Sequence, residues 1–226
     1  MLIDNVSIIR QKRKSLKIII NSNAELIVYS PLKLSIEKIN SILEEKSLIL
    51  NKKLAQIRLK KQKYINIYEY KTLFLLGKEY YIIPTEKVSK IFFTEDSFLV
   101  PKKYIQENKL TFFIKKILKE IAVSVITKRT EEIVKNNNLN FKYNKISFGN
   151  FKAKWGSCDN YKIIKFNWKL IMLPPEVIDF VIMHELSHLK ELNHSKNFYK
   201  ILTNLCPNWK NYKKILSELT FLLSIY

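Results

Sequence analysis

All three histidines of the 226-residue chain lie within eleven residues, His184 to His194. The segment begins His184-Glu185-Leu186-Ser187-His188, with two imidazoles four positions apart and a glutamate after the first. On a helix, at ~100° per residue, His184 and His188 lie about 40° apart on one face, so both can reach one metal ion. Glu185 points to the side, where its carboxylate can reach a water on the metal without binding the metal. This H-E-x-x-H spacing predicts a metal site with a catalytic base.

His194 is the candidate third ligand, on condition that the helix ends before it. If the helix continued, His194 would lie about 280° from His184, on the wrong face. Asn193 in the left-handed conformation is one way to end the helix. Glu191 is the rival ligand, but its Cα is ~10.5 Å along the axis from that of His184, so we expect it behind the ligands or in solvent.

Three neutral imidazoles leave a fourth position open for water, which is typical of catalytic zinc. We therefore predict one Zn²⁺ held by His184, His188 and His194, with Glu185 as the base. Cys158 and Cys206 are too few for a cysteine-only zinc site or a disulfide scaffold. Cys158 also lacks a nearby cysteine partner, so we do not predict it as a ligand.

The elements that must position these residues are predicted from hydrophobic spacing. Pro174-Pro175-Glu176 favours a helix start, and the apolar residues 177–183 indicate that the histidine helix is buried. A second long helix is expected over Leu110–Lys135, with Phe113, Ile117, Ile121, Val125 and Ile133 on one stripe, ending at Asn136-Asn137-Asn138.

The N-terminal part is predicted to be rich in strands. Residues 6–10, 16–20 and 25–29 favour a meander, with Ser22-Asn23 leading into its third strand, and a helix follows from Ser35 to about Lys63. Residues 74–83 and 90–100 favour two hairpins. We predict an α+β fold with a β-rich N-terminal region at residues 1–103 and a helical catalytic domain at residues 104–226.

The charge balance leaves one alternative open. Forty basic against twenty acidic side chains give a net charge of +20, which favours phosphate backbones and anionic surfaces. Only four of the forty are arginine, and the chain is rich in Ile, Asn and Tyr, which is typical of A/T-rich codons. The charge therefore fits either a solvated basic surface or nucleic-acid binding. The chain has no signal-peptide pattern and no apolar run of ~20 residues, so we expect a cytoplasmic protein and no membrane partner.

Several segments together give the chain a family resemblance. It resembles the YgjP-like zinc-dependent metallopeptidases and, more distantly, the SprT-like proteases. The resemblance implies zinc ligation by His184, His188 and His194, a catalytic base at Glu185, and a small zincin-like domain after a β-rich region. The segments that carry it are 154–158 (KWGSC), 166–170 (FNWKL), 173–179 (LPPEVID), 184–194 (HELSHLKELNH), Ser195 with Phe198, and Cys206-Pro207.

The chain departs from this family at Lys154, where the family has arginine, so any forked hydrogen bonding by that arginine is lost. The residues that follow it, Trp155, Gly156 and Ser157, are expected to form scaffold beside the catalytic cleft. By resemblance to zincins generally, residues 163–168 are expected to form an edge strand that could hold an extended peptide. Lys154, Asn167 and Tyr199 are candidate donors to a developing oxyanion, although the role expected of each is that of scaffold.

These observations predict a zinc-dependent metallopeptidase that cleaves peptide bonds with a metal-activated water and Glu185 as base. Its partner would be a peptide or protein substrate. The alternative is a basic nucleic-acid-associated protein whose zinc domain is recruited to DNA-bound proteins or serves as a binding module.

Overall fold

The computed structural model describes residues 6–21, 24–65, 72–105, 107–137 and 142–224. The described residues fall into two compact units, one ending at Ile65 and one running from Thr72 to Ser224. The boundary predicted at residue 103 therefore falls inside the second unit. The Ser22-Asn23 dipeptide and Asn138 lie outside the described residues.

The first unit contains a three-stranded sheet, β1 (Val6–Gln11), β2 (Lys17–Ile20) and β3 (Leu26–Pro31). β3 is central, parallel to β1 and antiparallel to β2, so the predicted meander is wrong in strand order. The reason is burial, because Leu26, Val28 and Ser30 alternate inward on β3 whereas β1 is mostly exposed.

Two helices, α1 (Ile36–Glu45) and α2 (Ser47–Ile65), cover one face of this sheet. The predicted helix is thus present but divided at Lys46 (φ −98°, ψ 2°), just before Ser47, a residue type that favours helix ends. Ser35 caps α1 by accepting a hydrogen bond from the Lys38 N–H at 3.3 Å.

The second unit begins with a four-stranded sheet in the order β4-β5-β7-β6. Both predicted hairpins are confirmed, since β4 pairs antiparallel with β5 and β6 with β7. Gly77 makes the first turn with φ +75°, in the left-handed region that glycine tolerates. The strands are β4 (Thr72–Leu75), β5 (Lys78–Thr85), β6 (Phe92–Phe93) and β7 (Ser97–Pro101).

The long helix α3 (Glu107–Asn136) confirms the predicted second helix, but its buried stripe lies one residue further along the chain. The predicted positions 113, 117, 121 and 125 are only half-buried, while Ile133 is buried as expected. Small Ala122 and Thr130 lie on the observed stripe, where they let the helix approach its neighbours closely. The buried residues are Leu110, Ile114, Leu118, Ala122, Ile126, Thr130 and Ile133.

A third sheet, in the order β8-β10-β9, and three helices complete the second unit. β10 is central, with Ile164 and Phe166 fully buried, so the edge strand predicted at residues 163–168 is wrong and β9 forms that edge. The elements are β8 (Lys145–Gly149), β9 (Gly156–Cys158), β10 (Ile163–Asn167), α4 (Pro175–Ser187), α5 (Lys196–Leu205) and α6 (Trp209–Glu218).

The helix α4 carries the candidate site and packs against α3, α5, α6 and β9. It begins as predicted, with Pro175 in its first turn and Glu176 near its positive dipole end. Short 3₁₀ helices occupy Lys102–Tyr104, Trp168–Met172 and Thr220–Ser224. The architecture confirms the predicted α+β class. None of the described helices is both long and apolar enough to cross a membrane.

Candidate active site

The helix α4 ends early enough for a third histidine to return to its face. Ser187 is its last residue, and the Glu191 N–H donates back to the Ser187 carbonyl at 3.2 Å in the turn that follows. The Ser195 hydroxyl caps α5 by accepting from the Phe198 N–H at 3.3 Å. Asn193 is not left-handed, which corrects that expectation, because positive φ among the described residues occurs only at positions 24, 76, 77 and 162.

The three histidines predicted as ligands converge. His184, His188 and His194 each present a ring nitrogen within 4.8 Å of the other two. The Nε2 atoms of His184 and His194 are 3.1 Å apart. The turn after α4 thus gives three imidazoles a common focus, although they span eleven residues of sequence.

The main chain of Glu191 orients the second histidine. Nδ1 of His188 lies 3.0 Å from the Glu191 carbonyl oxygen, which fixes Nδ1 as the protonated donor and leaves Nε2 with a free lone pair. The Glu191 carboxylate is outside the cluster of ligand atoms among the described residues. Glu191 therefore lies behind the ligands, as expected, and acts there through its carbonyl.

Phe198 packs against all three imidazoles. Its ring centroid lies 5.0, 4.5 and 4.7 Å from those of His184, His188 and His194, and the residue is fully buried. A single rigid side chain on α5 therefore fixes the side of the cluster opposite to solvent.

Desolvation keeps the His184 and His188 imidazoles neutral. Desolvation, aided by the charges of His188, His194 and Lys213, lowers the pKa of His184 to about 3. Desolvation also lowers the pKa of His188, although the Glu191 and Leu192 carbonyls oppose this. Neutral imidazole is the form that binds a metal ion, so no proton has to leave these rings first.

Glu185 is a buried carboxyl beside this cluster. It is 5% exposed, and its Oε2 is buried without a hydrogen-bond partner in the described structure. Burial raises its pKa to about 8, against the opposing charge of Lys154. Burying a polar atom without a hydrogen-bond partner costs free energy, so the position of Oε2 indicates that the site binds a ligand.

The lack of a side chain at Gly156 leaves room for the Glu185 carboxyl. A Cβ added at Gly156 would lie 2.7 Å from Oε1 and 2.8 Å from Cγ of Glu185, closer than real Cβ contacts allow. The edge strand β9 therefore passes directly against the carboxyl because its first residue has no side chain.

Asn167 holds the loop before β9, which confirms its scaffold role. Its Nδ2 donates to the Phe151 carbonyl at 2.8 Å and the Lys154 carbonyl at 3.2 Å, and its Oδ1 accepts from the Lys169 N–H at 3.2 Å. The amide is fully buried and both its hydrogens are engaged. This excludes Asn167 as an oxyanion donor in this conformation.

The other two candidate donors differ in placement. Lys154 is exposed, with its Nζ 5.0 Å from the Phe151 ring centroid. Tyr199 stacks on Trp209 with ring centroids 5.0 Å apart and lines the cavity beside the histidines. Cys158 stays outside the ligand cluster, and burial raises its thiol pKa to about 11, with Glu185 and Asp159 adding to the effect.

A cavity of about 220 Å³ opens beside His184 and Glu185. Its far walls could not be predicted from the sequence, because Trp209, Lys213 and Leu216 lie on α6, more than twenty residues after His188. Its lining residues are Trp155, Gly156, Phe180, Val181, His184, Glu185, Tyr199, Leu202, Trp209, Lys213 and Leu216.

The donor set fits a divalent cation such as zinc. Two of the three imidazoles are held neutral, the His188 tautomer is fixed, and Glu185, whose Oε2 has no partner in the described structure, lines the same cavity as His184. Nitrogen donors of this kind suit zinc among the divalent metals.

Two solved structures are similar to part of the chain. The metallopeptidase zymogen abylysin of Pyrococcus abyssi has 20% identity and a TM-score of 0.37, over 42% of this chain and 94% of that one. The metallopeptidase zymogen jannalysin of Methanocaldococcus jannaschii has 26% identity and a TM-score of 0.34, over 42% of this chain and 96% of that one. No curated protein matches the chain.

A family match covers far more of the chain. Residues 14–219 match the family described as YgjP-like, metallopeptidase domain. The match includes His184, Glu185, His188 and His194, and it confirms the resemblance to the YgjP-like metallopeptidases. Together with the α+β architecture, it shows that the chain belongs to the YgjP-like family of metallopeptidase domains.

Proposed function

We propose that the protein is a zinc-dependent metallopeptidase in which His184, His188 and His194 hold one Zn²⁺ and Glu185 is the catalytic base. The observation that carries this proposal is the convergence of three ring nitrogens within 4.8 Å beside a buried carboxyl oxygen without a partner. The family supports a peptidase with a divalent metal. Zinc itself, the single ion and the residue roles are the proposal.

Zinc bound here would supply a Lewis acid that activates a water and polarises a substrate carbonyl. Glu185 then takes up the proton of the attacking water at Oε2 and donates it to the leaving amine. Burial raises its pKa to about 8, and the charge of a bound Zn²⁺ would oppose this shift and favour the carboxylate, which is the form that accepts the proton. Gly156 keeps the carboxyl in place, because nothing larger fits between β9 and α4.

The substrate is a peptide or protein segment in extended form. β9 is one of the two edge strands of its sheet among the described strands, and it approaches α4 where Gly156 meets Glu185. An extended peptide can therefore add to β9 and bring its main chain past the carboxyl. We predict from the sequence that residues 163–168 hold the peptide, but these residues lie at the centre of the sheet. We therefore assign peptide binding to β9 instead.

The test of this function is Glu185→Gln, which keeps the size of the side chain and removes the base. We expect the variant to bind as much zinc as wild type and to lose peptide hydrolysis by at least about 100-fold. Glu176→Gln, an exposed glutamate in the first turn of the same helix, is the control and should retain both. A Glu185→Gln variant with undiminished peptide cleavage would remove Glu185 from the base role.

The alternative, a nucleic-acid-associated protein whose zinc domain is recruited to DNA-bound proteins or serves as a binding module, rests on the net charge of +20 alone, and the family match does not favour it. A location in the cytoplasm remains a prediction from the sequence.

A further inference from the structure

The cavity beside the histidines combines apolar walls with two polar groups that have no use in the proposed hydrolysis. Val181 and Leu202 are buried and form its closed part. Its volume of about 220 Å³ is several times the ~30 Å³ of a single water molecule. A space of this size and lining suits a large apolar side chain of a substrate.

Trp155 supplies the first polar group. The residue is 7% exposed and lines the cavity, and its indole Nε1 is buried without a hydrogen-bond partner. A buried donor without an acceptor costs free energy unless a ligand provides one. A ligand that carries an acceptor, such as the carbonyl group of a peptide, would relieve this cost on reaching Nε1.

Lys213 supplies the second polar group, from α6. The residue is exposed, so its ammonium lies at the open part of the cavity, 5.7 Å from the Trp209 ring centroid and 6.0 Å from that of Tyr199. It forms no ion pair with a carboxylate among the residues that the structure describes. An ammonium at the mouth of an apolar cavity is complementary to a carboxylate next to an apolar side chain.

We propose that this cavity binds the substrate residue beside the scissile bond, with a large apolar side chain between the buried walls and a substrate carboxylate on Lys213. The inference rests on the proposed peptidase function and deepens it by naming a substrate class. The carboxylate is either the C-terminal carboxylate of the peptide or an acidic side chain that follows the apolar residue.

The test measures binding first, so that it does not depend on turnover. Zinc-loaded Glu185→Gln is titrated calorimetrically with four N-acetylated peptides: Gly-Ala-Phe as free acid, Gly-Ala-Phe amide, Gly-Ala-Phe-Asp amide, and Gly-Ala-Ala as free acid. We expect either Gly-Ala-Phe as free acid or Gly-Ala-Phe-Asp amide to bind about tenfold more tightly than Gly-Ala-Phe amide, which has no carboxylate. The Ala peptide should bind at least tenfold more weakly than the Phe free acid, because it leaves the apolar walls unfilled.

Lys213→Met, made in the same background, should reduce the affinity for the preferred acid to that of the amide. Lys210→Met is the matched control, because Lys210 also lies on α6, 5.8 Å from the Trp209 ring centroid, but does not line the cavity. It should leave all four affinities within about twofold. Leu216→Trp, at a half-buried wall position, should abolish the preference for Phe over Ala by filling the cavity.

The outcomes separate this proposal from the peptidase function. Equal affinities for the four peptides, or equal effects of Lys213→Met and Lys210→Met, would overturn the pocket whether or not wild type cleaves peptides. Binding that depends on Lys213, together with no hydrolysis of these peptides by zinc-loaded wild type, would support the pocket and count against the peptidase.

Discussion

At the scale of single residues, the carboxyl of Glu185, the proposed base, depends on a neighbour that contributes no side chain. Gly156 lies so close to Glu185 that an added Cβ would meet Oε1 at 2.7 Å, Cγ at 2.8 Å and Cδ at 2.9 Å. All three are atoms of a buried side chain of α4, which has little room to move. The glycine is therefore as necessary to the site as the glutamate.

Gly156→Ala should consequently reduce hydrolysis without emptying the metal site. We expect kcat/KM to fall by about 100-fold, since a displacement of ~1 Å in a catalytic group has effects of that order. Zinc content should stay at the wild-type level because no ligand is touched. Ser157→Ala, one residue further along β9, is the control. Undiminished activity of Gly156→Ala would show that the position of the Glu185 carboxyl is not critical.

The candidate ligands could be predicted at this scale because their spacing encodes a helical face. The H-E-x-x-H pattern places His184, Glu185 and His188 by helix geometry alone. His194 was predicted only on condition that the helix ends before it, and that condition is met by the turn in which the Glu191 N–H returns to the Ser187 carbonyl. No short-range pattern encodes such a turn when it has no glycine and no left-handed residue.

At the scale of elements, α5 connects its own N-terminal cap to the metal site. The Ser195 hydroxyl caps the helix, His194 directly precedes the cap, and Phe198 at the bonded N–H packs on all three histidines. Loss of this cap should therefore affect both stability and metal affinity.

Ser195→Ala should lower the free energy of unfolding by about 1 kcal/mol and weaken zinc binding by a few-fold. Ser35→Ala is a matched control, because Ser35 caps α1 in the first unit through the same type of bond at 3.3 Å. It should cost similar stability and leave zinc affinity unchanged. Denaturant titration and competition with a zinc chelator measure the two effects. Equal zinc affinities in both variants would contradict the link between α5 and the site.

Lys169 connects two other elements of the second unit. It is 2% exposed, and its Nζ donates to the Leu223 carbonyl at 2.6 Å, which joins the 3₁₀ helix after β10 to the last described turn. Burial, aided by the charge of Lys115, lowers its pKa to about 8 from the ordinary value of 10.5.

This pKa predicts how stability changes in alkaline solution. Between pH 8 and 10.5 the unfolded chain holds a proton on Lys169 that the folded chain has lost, so this group makes stability rise with pH across that window. Lys169→Met removes the effect. We expect the free energy of unfolding of wild type to rise relative to that of the variant between pH 7.5 and pH 10. A difference that is constant with pH would contradict the lowered pKa.

The elements themselves were predicted better than their arrangement. The spacing of the apolar residues predicted both long helices and both hairpins, because these elements depend on residues that are close in sequence. It did not give the parallel pairing of β1 with β3 or the central place of β10, which depend on which strand buries both faces. The stripe on α3 was displaced by one residue because Ala122 and Thr130, which are not strongly apolar, lie on the buried line.

At the scale of the whole molecule, the net charge of +20 is the property that the site does not explain. Charge that results only from composition should bind any polyanion alike, with affinity falling steeply as salt increases. We expect DNA, sequence-matched RNA and heparin to compete equally and peptide cleavage to proceed at the same rate without DNA. Cleavage that requires DNA and is not restored by heparin would favour the recruited zinc domain instead.

The central claim is that three histidines form one zinc site. The most direct measurement is zinc per chain in wild type and His194→Ala, purified in parallel with excess zinc and then desalted, with Cys158→Ala as the control. We predict about one zinc in wild type and in Cys158→Ala, and a clear reduction in His194→Ala. A folded wild type without zinc or another transition metal, or a His194→Ala variant that retains a full equivalent, would contradict the account.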